Sequence, residues 1–130
     1  MPSATFSKPT DIRLREIRLS WESYEYRTPI KFGGRTVTSA TLLNVDTQVE
    51  TRDGRTARGF GSMPLGNTWA WPSPAMDNEQ TLGAMKALAA RCAQICQAYS
   101  EFGHPIDLGV HLEEEFLAAA ADLSRTMKLP

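Results

Sequence analysis

The sequence predicts an α+β fold: a three-stranded antiparallel meander followed by a helical hairpin or bundle. Three observations carry this. Two-residue alternation marks the first half of the chain, three- and four-residue apolar spacing marks the second, and Asp53 with Gly54 supplies a tight turn between two strands. Strands come first and helices second, so the helices cannot be parallel crossovers, and they pack on one side of the sheet.

The first strand is "IRLREIRLS". Ile12 and Leu14 alternate, the pattern slips a step at Arg15 and Glu16, and Ile17 and Leu19 resume it, which predicts a strand with a bulge. Residues 21–39 then lose all periodicity. Trp21, Tyr24, Tyr26 and Phe32 stand among Pro29, Gly33 and Gly34, which predicts a long ordered loop with the character of a lid. The second strand is the clearest. Leu43, Val45, Thr47 and Val49 alternate with Asn44, Asp46, Gln48 and Glu50, one face buried and one wet. The third, "RTARGFG", is short and glycine-rich, which predicts close packing of something upon it. A second aromatic loop follows over residues 62–74 and carries Trp69 and Trp71.

Asp77 or Asn78 can cap a helix start, and Asp77 with Gln80 three positions later is close to a capping box. Leu82, Met85, Leu88, Cys92, Ile95 and Tyr99 form one stripe of a helix ended by Gly103 and Pro105. Leu108, Leu112, Phe116, Leu123 and Met127 form the stripe of a second helix over residues 107–127. Residues 1–10 predict a flexible arm, and residues 11–130 a single domain.

Composition narrows the function. The 130 residues carry a net charge of −1, with 42% hydrophobic and 22% charged residues, typical of a globular domain and not of a nucleic-acid binder. No apolar run is long enough for a membrane span, and the first ten residues lack a signal-peptide core, so the expected compartment is the cytoplasm. Cys92 and Cys96, four apart on a helix, read as two buried thiols. Arg58, Gly59, Phe60 and Gly61 match the opening of an RNA-recognition strand. Ser62 and Leu65 then fall where aromatics belong, and Pro64 interrupts the strand. Gly59, Gly61 and Gly66 fit no phosphate-loop spacing. His104, His111 and Glu115 form no recognised metal set, and residues 113–115 read as a solvated acidic face. No serine or cysteine lies in a nucleophile signature. The expectation is a chain without a catalytic set or metal site of its own.

What remains is the two aromatic loops. In a meander the first and third strands are parallel, so their ends, and both loops, emerge on one edge. The candidate substrate-binding residues are Tyr24, Tyr26, Arg27, Lys31, Phe32, Met63, Leu65 and Trp69.

The order of "IRLREIRLSW", "YEYRTPIKFGG", "VTSATLLNVDTQVETRDGRTARGFGSMPLG", "WAWP" and "TLGAMKALAARCAQI" resembles the N-terminal capping domain of the enolase superfamily, in its mandelate racemase/muconate lactonizing enzyme branch. The resemblance covers about residues 10–130, and its strongest part is the strand–turn–strand unit at residues 45–61. It implies a domain that caps a C-terminal (β/α) barrel of the same polypeptide, expected beyond Pro130. That barrel would hold Mg²⁺ and the groups for proton abstraction next to a carboxylate, as in a racemase, cycloisomerase or sugar-acid dehydratase. By position, the two cap loops correspond to residues 24–37 and 63–71. Lys31 or Arg27 would meet an acidic substrate group, Tyr26 would bond a hydroxyl, and Phe32 and Trp69 would form an apolar wall. The expected partners are the barrel, a small carboxylate and a second copy in a homo-oligomer, with no nucleic acid and no membrane. The alternative is a free-standing module that binds a small molecule or a protein through the same aromatic face.

Overall fold

Three strands in the order β1–β2–β3 form the sheet of the computed structural model, which describes residues 7–32 and 34–130. β1 is Ile12–Phe32, β2 is Arg35–Thr51 and β3 is Thr56–Pro64, all antiparallel. Three helices follow: α1 Asn67–Ala70, α2 Asn78–Ala98 and α3 Pro105–Thr126. The fold is α+β, a meander followed by helices.

The bulge expected at Arg15 is present, as the register shifts between Leu14 and Glu16. Across it the apolar residues keep one face. Leu14 pairs with Val49, Leu19 with Val45 and Trp21 with Leu43, so all of them point the same way. α2 packs on β1, with Lys86 Nζ 5.4 Å above the Trp21 ring. The turn after β2 closes on Gly54, whose φ of 84° a residue with a Cβ seldom adopts.

The expectation of a loop over residues 21–39 is corrected. This stretch is the distal half of a long β-ribbon, in which Tyr24 pairs with Ala40, Glu25 with Ser39 and Lys31 with Thr36. The register breaks once, between Glu25 and Ile30, where Pro29 lacks an N–H to donate. β3 ends at Pro64, opposite Leu42, and Leu42 faces Glu22 on β1. The ribbon therefore runs on past β3 as two strands, for about 24 Å at the usual rise per residue. Its tip is fastened. The Arg35 guanidinium donates to the Ser73 carbonyl and, at 3.0 Å, to that of Met76, in the segment before α2.

The third strand also runs longer than "RTARGFG" and absorbs Ser62, Met63 and Pro64. All nine of its residues are exposed. No described residue buries it, contrary to the expectation from its glycines. Only Gly59 is tight, where a Cβ would meet Thr47 Oγ1 at 3.0 Å, and Gly61 opens on empty space.

α2 begins as expected. Asp77 accepts from the Gln80 N–H and the Gln80 side chain accepts from the Asp77 N–H, each at 2.8 Å. It ends earlier than Gly103, at Ala98, because the chain turns back to the base of β1. There Ile12 and Gly103 exchange both backbone hydrogen bonds, at 2.9 Å each. Arg13 and Arg52 lie 4.8 and 5.0 Å from the Phe102 ring centre, two cation–π contacts on one ring. Gln97 closes the same edge at the bulge: its side chain accepts from Ile17 N–H at 2.9 Å and donates to Arg15 O at 2.7 Å. α3 starts two residues before the expected Asp107, with Pro105 in the first turn and the His104 ring accepting from Ile106 N–H at 3.2 Å.

The fully buried apolar core is small: Met76, Ala84, Leu108, Leu112 and Ala119. It lies between α2, α3 and the segment before α2. The accessible surface is 9270 Å² for 14.4 kDa, against roughly 6,800 Å² for a compact monomer of that mass. Of the arm expected at residues 1–10, residues 1–6 lie outside the described residues. Residues 8–11 form a tied turn, with Lys8 N–H on the Asp11 carboxylate at 2.9 Å and Asp11 N–H on Lys8 O at 3.0 Å.

Candidate functional site

The candidate site is a cleft beside β2 where β3 has ended. It holds about 110 Å³. Val37, Ser39, Ala40 and Thr41 of β2 form one wall, and Tyr26 of β1 closes its outer end. Pro64, Gly66, Asn67, Thr68, Trp69 and Asn78 form the other wall. The chain turns into this wall because Leu65 N–H still bonds Thr41 O at 3.0 Å, one step beyond the last strand pair. Gly66 then takes φ 56°, ψ 43°, the left-handed conformation, and caps α1.

A polar hub holds α1 against the first turn of α2. Asn67 Nδ2 donates to Asn78 O at 2.9 Å, to Asn78 Oδ1 at 2.7 Å and to Thr81 Oγ1 at 2.9 Å. Thr68 Oγ1 donates to Asn78 Oδ1 at 2.8 Å, and Thr81 is 1% exposed. The hub fixes the backbone that carries Trp69, whose ring is 72% exposed. The cleft wall is therefore rigid while its aromatic lip faces outward.

Of the candidate residues, Tyr26 and Trp69 line the cleft together, and Leu65 is half-buried in the turn between Pro64 and Gly66. Tyr24 and Met63 are exposed on the sheet, opposite Ala40 and Leu43. Arg27 and Lys31 are exposed on the ribbon, outside the cleft lining. For Phe32 the description extends to its backbone pairing with Arg35. Trp71, the other tryptophan of the second aromatic stretch, is half-buried outside the lining. The composite aromatic surface thus narrows to one cleft, and its basic members stand apart from it.

Asn67, Thr68 and Asn78 were not among the candidates. A polar network has no periodicity to betray it, and the only local signal was Gly66 before an Asn-Thr pair. The lining carries hydroxyls, amides and two aromatic rings, and no Asp, Glu, Lys or Arg. Such a surface hydrogen-bonds a neutral polar group and stacks on an apolar one, and it supplies no acid or base near neutrality.

The charged groups cluster elsewhere. At the sheet base, the Lys8 backbone N–H and then Arg52, 3.3 Å away, hold the Asp11 carboxyl below its usual range. Arg13, bonded at 2.7 Å, does the same for Glu50. The Thr51 hydroxyl and then Arg55 lower Asp53, and Arg91 followed by Arg125 lower Asp122. Burial raises both thiols, Cys92 and Cys96, which are free and half-buried. A raised thiol is a weak nucleophile.

Among the described residues no three His, Cys, Asp or Glu side chains come together in a group that could hold a metal ion. No helix among the described residues is long and apolar enough to cross a membrane. No family model matches the chain, and neither a curated protein nor a solved structure matches it significantly.

Proposed function

We propose that this domain is the substrate-covering, specificity-setting cap of a larger enzyme of the enolase superfamily, which removes a proton next to a carboxylate with the help of Mg²⁺ held elsewhere in the polypeptide. The observation that carries the reading is the ribbon. Two strands project past the third, Arg35 fastens their tip, and their inner edge builds an uncharged aromatic cleft with α1. A lid needs reach, a fixed tip and a surface that excludes water without competing for the metal.

The cleft lining changes which residues should meet the substrate. Tyr26, Asn67 and Trp69 replace Arg27 and Lys31 as the contacts, and they suit the hydroxylated or apolar end of a small acid. The carboxylate end belongs to the barrel. A free-standing small-molecule binder is the poorer reading, because self-sufficient pockets hold about 300–1,000 Å³ and this cleft holds about 110 Å³. The surface in excess of a compact monomer, about 2,500 Å², agrees with a domain that is covered by others.

The test uses the polypeptide that carries both cap and barrel. Trp69→Ala and Tyr26→Phe should change the kcat/KM ratio between two carboxylate substrates by about 10-fold or more, corresponding to roughly 1.4 kcal/mol, with Mg²⁺ affinity unchanged. Loss of Mg²⁺ affinity with an unchanged substrate ratio would overturn the reading.

A further inference from the structure

The two edges of the sheet are treated differently. The outer edge of β1 is closed at Ile12 by Gly103 and at Arg15 and Ile17 by the Gln97 side chain. Among the described residues the outer edge of β3 has no comparable cover: all nine of its residues are exposed, its single charge is Arg58, and its only proline is the last residue. Sheets usually blunt a free edge of that length.

The register says which groups face out. Thr51 N–H bonds Arg55 O at the start of the β2–β3 ladder, and Leu65 N–H bonds Thr41 O at its end. In an antiparallel ladder, hydrogen-bonded pairs alternate. Ala57, Gly59, Gly61 and Met63 therefore bond inward to β2. Thr56, Arg58, Phe60 and Ser62 direct their N–H and C=O groups outward, and Pro64 offers a carbonyl alone.

We infer that this edge is a dimerisation surface, on which β3 of a second copy pairs antiparallel about a two-fold axis at Phe60. That register sets Arg58 against the partner's Ser62, and Thr56 against the partner's Pro64, whose carbonyl is the only group Thr56 N–H needs there. On the order of eight ladder hydrogen bonds form. The side chains fit the same axis. On one face Phe60, 66% exposed, meets its own copy, an aromatic cross-strand pair. On the other face Met63, 70% exposed, lies opposite the partner's small Ala57, and Gly59 lies opposite the partner's Gly61, so no two large side chains collide there. A register one pair away breaks both matches. The surface is available: a standard interface takes about 800 Å² per partner, about a third of the excess surface of this chain.

The experiment is sedimentation equilibrium of the 130-residue chain, with circular dichroism to confirm that each variant is folded. The wild type should dimerise, and Phe60→Lys should weaken association at least 10-fold, because two like charges then meet on the axis. Phe60→Pro should weaken it as much while leaving the fold intact, since the N–H it removes faces outward. A short bis-maleimide should link Phe60→Cys into covalent dimers and spare Thr56→Cys, whose two copies would lie roughly 26 Å apart. The native thiols are common to both variants, so they cannot explain a difference. A chain that stays monomeric, association unchanged by Phe60→Lys, or equal cross-linking at positions 56 and 60 would each overturn the proposal.

Discussion

Replacing Asn67 by alanine should loosen the wall that carries Trp69. The two amide hydrogens reach three acceptors, at 2.7–2.9 Å, on two residues of α2, so one of the bonds is shared. Each is worth about 1 kcal/mol net, but the loss is not threefold. Asn78 Oδ1 keeps its bond from Thr68 and Asn78 O keeps one from the Thr81 hydroxyl at 3.2 Å, so only the acceptor side of Thr81 is abandoned. The expected cost is about 2 kcal/mol. At about 2.1 cal/mol/K per residue the chain unfolds with an entropy of about 0.27 kcal/mol/K, so the midpoint should fall by about 7 °C. Thermal circular dichroism at the helix band measures it. Asn67→Asp separates shape from chemistry, since it sets an acceptor against acceptors. It should destabilise at least as much as alanine near neutral pH and recover as the carboxyl is protonated. A midpoint within about 1 °C of wild type for both variants would refute the hub as the support of this wall.

Four further outcomes follow from the same structure. Leu112→Ala, at a position 4% exposed in the core, should cost about 3 kcal/mol in chemical denaturation. Gly66→Ala, at φ 56°, should cost about 1 kcal/mol and show first in loss of α1 contacts by NMR. Arg35→Ala should accelerate hydrogen exchange of the ribbon over residues 23–41 while core protection in α3 holds; equal acceleration everywhere would refute the anchoring. Stability should fall on acidification. Asp11, Glu50, Asp53 and Asp122 have folded pKa values below their ordinary 3.8 and 4.5. Their contribution is therefore complete above about pH 5 and is lost as pH drops through the lowered values, which denaturation midpoints between pH 7 and 3 would record.

Much of this fold was legible because burial on one side writes alternation into a strand. Leu43, Val45 and Val49 carry that alternation, as does the slip at Arg15 and Glu16, but the wet face expected of Asn44 is corrected: Asn44 is the buried residue of β2, bonded to Glu22 and Ser62. The capping box at Asp77 and Gln80 was legible because its chemistry is local. The ribbon was not. Residues 23–31 are exposed along both faces, so nothing selects an alternating pattern, and the pairing rests on backbone hydrogen bonds that leave no trace in side-chain identity. The site was half legible for a related reason. Tyr26 and Trp69 stand out as aromatics, but which aromatics meet depends on where β3 stops, and Pro64 alone hinted at that. The Asn67 hub joins residues 11 and 14 positions apart on two helices, a distance at which single-sequence patterns are silent.

The side-chain amide of Gln97 has a consequence for the size of any assembly. It occupies the outer face of β1 as a neighbouring strand would, with one donor and one acceptor, and Gly103 does the same two turns of the pleat away. A sheet open on both sides propagates without limit and makes fibres. A sheet sealed on one side can be extended once only, after which the two sealed borders face outward and growth stops. Gln97 and Gly103 together cap the base of β1 over residues 12–17, so a second copy that pairs along β3 meets no free strand at that end of the opposite edge.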